Sequence, residues 1–167
     1  MPENRAFGAP AVSGDGAGGQ LSGPRRVLVA VYGTFALAAG ARAGVQLATK
    51  FSEAPVAYLL SAFAAVVYIV ATVGLARWGR GGRLTALAAI SVELVGVLAV
   101  GTLSLTDRAA FPDATVWSVY GRGYGFVPLA LPVLGLLLIR QQADEERAAS
   151  AADGSDAEAD PEAGAET

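Results

Sequence analysis

The sequence predicts an all-α membrane protein whose four transmembrane helices form an up-down bundle between two disordered tails. Four apolar stretches occupy the middle of the chain, each near the ~20 residues that cross a bilayer core of ~30 Å. Charged residues make up 16% of the 167 residues, whereas a soluble domain carries about a quarter. Nine of the fifteen acids follow Gln142, so the middle of the chain is more apolar than the mean hydropathy of +0.46 indicates.

The four spans are predicted at about 27–48, 55–76, 84–106 and 117–139, within a membrane domain over 25–140. Between the second and third spans, arginines broken by glycines predict a tight basic turn. The fourth span should begin irregularly, because glycines weaken a helix and prolines remove backbone hydrogen bonds. The residues of this irregular start are Gly121, Arg122, Gly123, Tyr124, Gly125 and Pro128. Its Gly-Tyr-Gly sequence also echoes a potassium-channel filter, but the fixed charge of Arg122 disfavours a cation path.

Both ends of the chain are predicted to be disordered. Residues 1–24 are rich in Gly, Ala, Pro and Ser, and hold too little apolar surface to offset the chain entropy lost on folding. Residues 141–167 form an acidic, largely disordered tail, although the first turns after Arg140 can continue the last helix. We interpret the acidic tail as a solvated segment, with docking to a basic partner as the alternative.

Basic residues set the predicted topology, because cytoplasmic loops carry an excess of arginine and lysine. Eight arginines fall on one side of the four spans: Arg5, Arg25, Arg26, Arg77, Arg80, Arg83, Arg140 and Arg147. The other side holds Lys50, Arg108 and Arg122. Both termini should therefore be cytoplasmic. Interfacial aromatic belts are predicted at Trp78 on the inside, and at Trp117 and Tyr120 on the outside.

The first span has an alternative interpretation. Arg25 and Arg26, the apolar run after them and Ala41-Arg42-Ala43 also fit a secretory signal with a cleavage site. Because three more spans follow, an uncleaved first helix is the simpler interpretation.

Besides Arg122 near the start of the fourth span, two charged residues lie inside predicted spans. Glu93 is near the middle of the third span, and Arg42 is in the outer third of the first. An ionisable side chain at such depth is costly and is a functional hypothesis by default. The two Cα atoms should differ in depth by roughly 8 Å, so a direct pair would need long side chains or a bridging water.

A polar stripe on the second span should face both charges. The candidate intramembrane polar site comprises Arg42, Gln46, Tyr58, Ser61, Tyr68 and Glu93. Its functional interpretation is a site for an ion, a proton or a small molecule. The structural alternative is a set of polar side chains that join the helices, at around 1 kcal/mol per hydrogen bond.

Small residues predict close helix packing at Gly33, Gly40 and Gly44 on the first span and at Gly96 on the third. The stripe on the first span lies nearly opposite Arg42. If Arg42 points into the bundle, this stripe should point outward, at a second protomer or another membrane protein.

The residue types exclude several chemistries. The sequence has no cysteine and no histidine, which removes thiolate catalysis, disulfides, the usual general base and the commonest zinc ligand. No cofactor is predicted. The membrane region has no paired carboxylates, which disfavours an enzyme, and no basic patch supports nucleic-acid binding.

Four segments carry a resemblance to a known family. They are residues 32–76, Glu93-Leu-Val-Gly-Val, Phe111-Pro-Asp-Ala-Thr-Val-Trp-Ser and Gly123-Tyr-Gly-Phe-Val-Pro-Leu. These segments resemble small four-span integral membrane proteins of actinobacteria, over about residues 27–140. The resemblance implies the span count and a bacterial plasma membrane. That family has no assigned activity, so the resemblance carries over no functional residue.

Three functions compete. The first is a non-enzymatic structural, assembly or interaction subunit, which contacts the lipid bilayer and a second copy or another membrane protein. The second is a small oligomeric transporter or proton-coupled carrier that uses Glu93 and Arg42. A membrane enzyme is the least favoured.

Overall fold

The computed structural model describes residues 23–77, 79–107 and 111–158, and these residues contain helices and turns but no β-strand. The α-helices are α1 (Gly23–Thr49), α2 (Pro55–Ala76), α3 (Gly79–Thr106) and α4 (Val127–Glu158). A 3-10 segment, Ser118–Tyr124, lies between α3 and α4. Helices α1, α2 and α3 are each long and apolar enough to cross a membrane, as predicted for a helical membrane protein.

Gly33 and Gly40 of α1 face α2. A Cβ atom added to Gly33 would lie 3.7 Å from Thr72 Cγ2, and one added to Gly40 would lie 4.0 Å from the Cβ atom of Ala65. Gly44 has no neighbour within 4 Å of such an atom. The outward direction of this stripe was predicted only for the case in which Arg42 points into the bundle. That condition is not met, because the Arg42 side chain is exposed, and Gly33 and Gly40 face α2.

The connection between α2 and α3 is shorter than predicted. Helix α3 begins at Gly79, five residues before the predicted start at 84, so the glycines and arginines of the expected turn are mostly helical. Close packing explains why glycines occur here. A Cβ atom on Gly82 would lie 2.6 Å from the Arg77 carbonyl oxygen, and one on Gly74 would lie 2.6 Å from the backbone nitrogen of Ala86.

The predicted fourth span is not one straight helix from 117 to 139. The 3-10 segment and α4 meet at a bend of 99°. Together they are long and apolar enough to form one broken span or a re-entrant loop. Val119, Tyr120 and Gly121 have φ angles of 50°, 58° and 79°. These left-handed conformations interrupt the helix where the glycines predict irregularity. The number of spans is accordingly three, or up to four.

Helix α4 is longer than the predicted span. It continues from Val127 to Glu158, so the chain remains helical well past the predicted tail boundary at 141. Its 32 residues correspond to about 48 Å, which exceeds a hydrocarbon core of about 30 Å. Residues 23 and 24, predicted as part of the first tail, already belong to α1. The predictions for residues 1–22, Trp78, Arg108 and residues 159–167 lie outside the described residues.

Candidate functional site

Glu93 is the centre of a buried polar network. It lies on α3 on the same face as the core residues Ala86, Ile90, Val97 and Val100, since residues three and four apart share one side of a helix. Its side chain is fully buried, with 0% exposure. The helical periodicity therefore carries the carboxylate into the interior together with the apolar side chains.

A tyrosine of α1 is the direct partner of this carboxylate. The Tyr32 hydroxyl donates to Glu93 Oε2 at 2.7 Å. The other oxygen, Oε1, is buried and has no hydrogen-bond partner among the residues that the structure describes. A buried polar atom without a partner is uncommon, and it marks a place where a water, a proton or an ion can bind.

A second hydrogen-bonded pair lies next to the first. Trp117 Nε1 donates to the Tyr68 hydroxyl at 3.0 Å, and both side chains are buried. The rings of Tyr68 and Tyr32 are 6.1 Å apart between centroids, so the two pairs form one cluster. The indole ring packs on Gly96, where an added Cβ atom would lie 2.5 Å from Trp117 Cζ3. The predicted packing glycine of α3 therefore receives the indole ring of Trp117.

Arg42 does not belong to this cluster. Its guanidinium donates to the Tyr124 hydroxyl and to the Ala114 carbonyl, each at 3.1 Å. The direct pair with Glu93 that the sequence left open is therefore not formed. Ten residues of α1 separate Arg42 from Tyr32, a rise of about 15 Å, so the arginine lies well away from the carboxylate.

The polar stripe of α2 divides between two levels. Tyr68 belongs to the buried cluster, whereas Tyr58 donates to Asp113 Oδ2 at 2.5 Å near the other end of the helix. Ser61 donates to the Ala57 carbonyl of its own helix at 2.9 Å. The Oε1 atom of Gln46 is buried and has no partner within the described ranges. The six predicted residues are therefore not one site.

The irregular start of the fourth span lines a pocket of about 530 Å³ beside Arg42. Arg42, Arg122, Gly123 and Tyr124 line this pocket together with Ser118. Among the other predicted residues, Pro128 is buried against Gly121, whose φ angle is 79°, and Gly125 has a φ angle of 63°.

Tyr32 is not among the predicted site residues, and Trp117, which was predicted to belong to an interfacial belt, is buried against the helices with 1% exposure. A signal for Tyr32 exists in the sequence. Counted from the predicted helix starts, Tyr32 lies about 8 Å and Glu93 about 14 Å into the bilayer. The difference is close to the length of a tyrosine side chain. Depth alone, however, does not single out Tyr32, because Arg42 lies deeper than Glu93 by a similar distance.

The described residues contain no group of three or more His, Cys, Asp or Glu side chains that could hold a metal ion. In comparisons with known proteins, no protein-family model, no curated protein and no solved structure matches this chain. The resemblance to four-span actinobacterial proteins therefore stays a prediction.

Proposed function

We propose that this chain is a multi-pass protein of a bacterial plasma membrane that acts as a non-enzymatic structural, assembly or interaction subunit. The observation that carries the proposal is the pair of buried bonds, from Tyr32 to Glu93 and from Trp117 to Tyr68. Each bond joins two different segments of the chain. Bonds of this kind contribute about 0.6 to 2 kcal/mol inside a membrane. The buried polar side chains thus serve to hold the helices together.

The proposed topology has four spans and places both termini in the cytoplasm. The bent pair of the 3-10 segment and α4 counts as the fourth span. Contacts at one end support alternating helix directions. Arg25 at the start of α1 donates to the Leu75 carbonyl at the end of α2 at 2.6 Å, and Arg83 at the start of α3 pairs with Glu146 of α4 at 3.1 Å. Because this end carries the excess of arginine, we assign it to the cytoplasm.

A double-mutant cycle tests the structural role. The free energy of unfolding in detergent micelles is measured for the parent, Tyr32→Phe, Glu93→Met and the double variant. Methionine keeps the length of the side chain and removes both oxygens. We expect a coupling free energy of about 1 kcal/mol between the two positions, because each single change already breaks the same hydrogen bond.

A matched cycle provides the control. Tyr120→Phe also removes a hydroxyl, but the Tyr120 hydroxyl lies 3.0 Å from Thr102 Oγ1 at a more exposed position. Its combination with Glu93→Met should be additive within about 0.5 kcal/mol. Equal coupling in the two cycles would contradict the proposal.

A second candidate function, a small oligomeric transporter or proton-coupled carrier, is favoured by one observation. Glu93 Oε1 is buried without a hydrogen-bond partner among the described residues. In a carrier this oxygen would take and release a proton or a cation. Arg42 would act at the pocket that it lines, which the proposed topology places on the outer side of the membrane. In a structural subunit the same oxygen would stay buried and would not exchange protons or cations.

Proton uptake into proteoliposomes separates the two candidates. The carrier requires uptake by the parent and its loss in Glu93→Gln, which keeps the shape of the side chain but cannot ionise. Glu53→Gln is the matched control, because Glu53 is an exposed acid with 57% side-chain exposure. If the parent moves protons no faster than empty vesicles, the carrier is rejected.

A further inference from the structure

A cavity of about 570 Å³ lies at the end of the bundle where α1 and α3 begin and α2 ends. All four α-helices contribute to its lining. Helix α1 packs mainly on α2 and makes little contact with α4, and the cavity lies between α1 and α4 at this end. The volume is within the ~300–1,000 Å³ of typical small-molecule sites.

Positive charge dominates the lining. Arg25, Arg77, Arg80 and Arg83 face two acids, Glu145 and Glu146. Arg83 and Glu146 form a salt bridge, which accounts for one positive and one negative charge. An excess of two positive charges remains at the cavity.

The Arg25 side chain is held at the cavity by the backbone. Its Nε atom donates to the Leu75 carbonyl, and its Nη2 atom donates to the Arg77 carbonyl. These are carbonyl groups at the end of α2, where a helix has unsatisfied acceptors and partial negative charge. The guanidinium therefore serves as a fixed cap, and it leaves Arg77 and Arg80 as the exposed cations of the lining.

One wall of the cavity is apolar. Leu75, Ala86, Leu138 and Ile139 form the part of the cavity that belongs to the spans, whereas Gln142 and the charged residues belong to the helix ends. A cavity with basic side chains beside an apolar wall suits an amphipathic anion at the membrane surface. Basic pockets between helices at this level bind anionic headgroups, and guanidinium groups bind phosphate oxygens in pairs.

We propose that this cavity binds a phosphate group, carried by the headgroup of an anionic phospholipid or present as free phosphate. Arg77 and Arg80 are the ligand-binding residues, and Arg25 is a positioning residue. The inference requires the helices to lie in a membrane. It does not depend on the role of Glu93 in the proposed function, so the two can fail separately.

Binding is measured on the full-length protein in neutral detergent micelles. Three probes are added: dioleoyl phosphatidylglycerol, dioleoyl phosphatidylcholine and inorganic phosphate. Lipid adducts are counted by native mass spectrometry, and the melting temperature is followed in parallel. We expect phosphatidylglycerol, or inorganic phosphate at constant ionic strength, to bind and to raise the melting temperature, whereas phosphatidylcholine does not.

The variant Arg77→Gln/Arg80→Gln should weaken this binding about thirtyfold, from the contribution of two arginines at an anionic lipid surface. Arg140→Gln/Arg147→Gln removes the same charge from α4 outside the cavity and should retain parent affinity. Binding of phosphatidylglycerol alone identifies the lipid as the source, and equal competition by inorganic phosphate identifies the free ion. No selectivity over phosphatidylcholine together with no phosphate binding, or equal losses in the two variants, would overturn the proposal.

Discussion

Replacing Gly96 by alanine should destabilise the protein, although alanine is the better helix former. The new Cβ atom would lie 2.5 Å from Trp117 Cζ3, 2.7 Å from Cη2 and 2.9 Å from Cε3. All three atoms belong to one rigid and buried ring. Carbon atoms pack at about 3.5 to 4.0 Å, so the indole ring must move by about 1 Å.

The movement of the indole ring determines how much the free energy of unfolding falls. Overpacking of a core costs about 1 to 3 kcal/mol, and alanine returns about 1 kcal/mol of helix propensity. Displacement of the ring also lengthens the 3.0 Å bond from Trp117 Nε1 to the Tyr68 hydroxyl, and its loss costs about 1 kcal/mol. The free energy of unfolding should therefore fall by about 1 to 3 kcal/mol.

Gly44→Ala is the matched control, because Gly44 is also helical and has no atom within 4 Å of an added Cβ. This variant should be about 1 kcal/mol more stable than the parent. Unfolding by a denaturing detergent, followed by circular dichroism, measures both changes. If Gly96→Ala is as stable as Gly44→Ala, the close approach of Trp117 to α3 is refuted.

Three further predictions use the same unfolding measurement. Tyr68→Phe should cost about 1 to 3 kcal/mol, because it leaves the buried Trp117 Nε1 donor unpaired, and an unchanged stability would contradict that hydrogen bond. Arg25→Gln should cost about 2 kcal/mol through the uncapped carbonyls of α2, and a variant as stable as the parent would show that the cap is dispensable. Gly82→Ala should be less stable than Gly81→Ala, because only the first places a Cβ atom against a backbone carbonyl, 2.6 Å away. The opposite order would contradict the close turn between α2 and α3.

The helices were predictable because apolar length is a strong and local signal. The all-helical fold and the membrane-type helices follow from it, and the structure confirms both for the described residues. The start of α3 was not predictable in this way. Gly79 and Gly82 each weaken an isolated helix by about 1 kcal/mol. At Gly82, however, an added Cβ atom would lie 2.6 Å from the Arg77 carbonyl oxygen, and Gly79 has a φ angle of 89°, which favours glycine. Tertiary contact outweighs local propensity at this turn.

The site was predictable only in part, for a related reason. A carboxylate in an apolar stretch identifies Glu93 without any structure. Its neighbour Trp117 depends on the fold of the 3-10 segment, where Val119 and Tyr120 adopt left-handed conformations that no local preference favours. The general affinity of tryptophan for membrane interfaces predicts exposure, whereas the segment turns this residue inward.

Arg42 and Glu93 lie at opposite ends of a row of packed rings. Arg42 donates to the Tyr124 hydroxyl, and the Tyr124 ring is 5.9 Å from the Phe35 ring. The Phe35 ring is 5.7 Å from that of Tyr68, which belongs to the Glu93 cluster. Packed side chains therefore connect the pocket beside Arg42 with the buried carboxylate of Glu93 without a gap.

The two candidate functions require different behaviour of the apolar ring of Phe35 in this row. The side chain of Phe35 has no polar atom, so the row of side chains offers no unbroken chain of hydrogen bonds from Arg42 to Glu93. A carrier that moves protons along this row would need the ring of Phe35 to move aside and admit water each time the carboxylate exchanges a proton. A structural subunit would need the same ring to stay packed between Tyr124 and Tyr68. For transport along this row, the two functions therefore make opposite demands on the packing of Phe35.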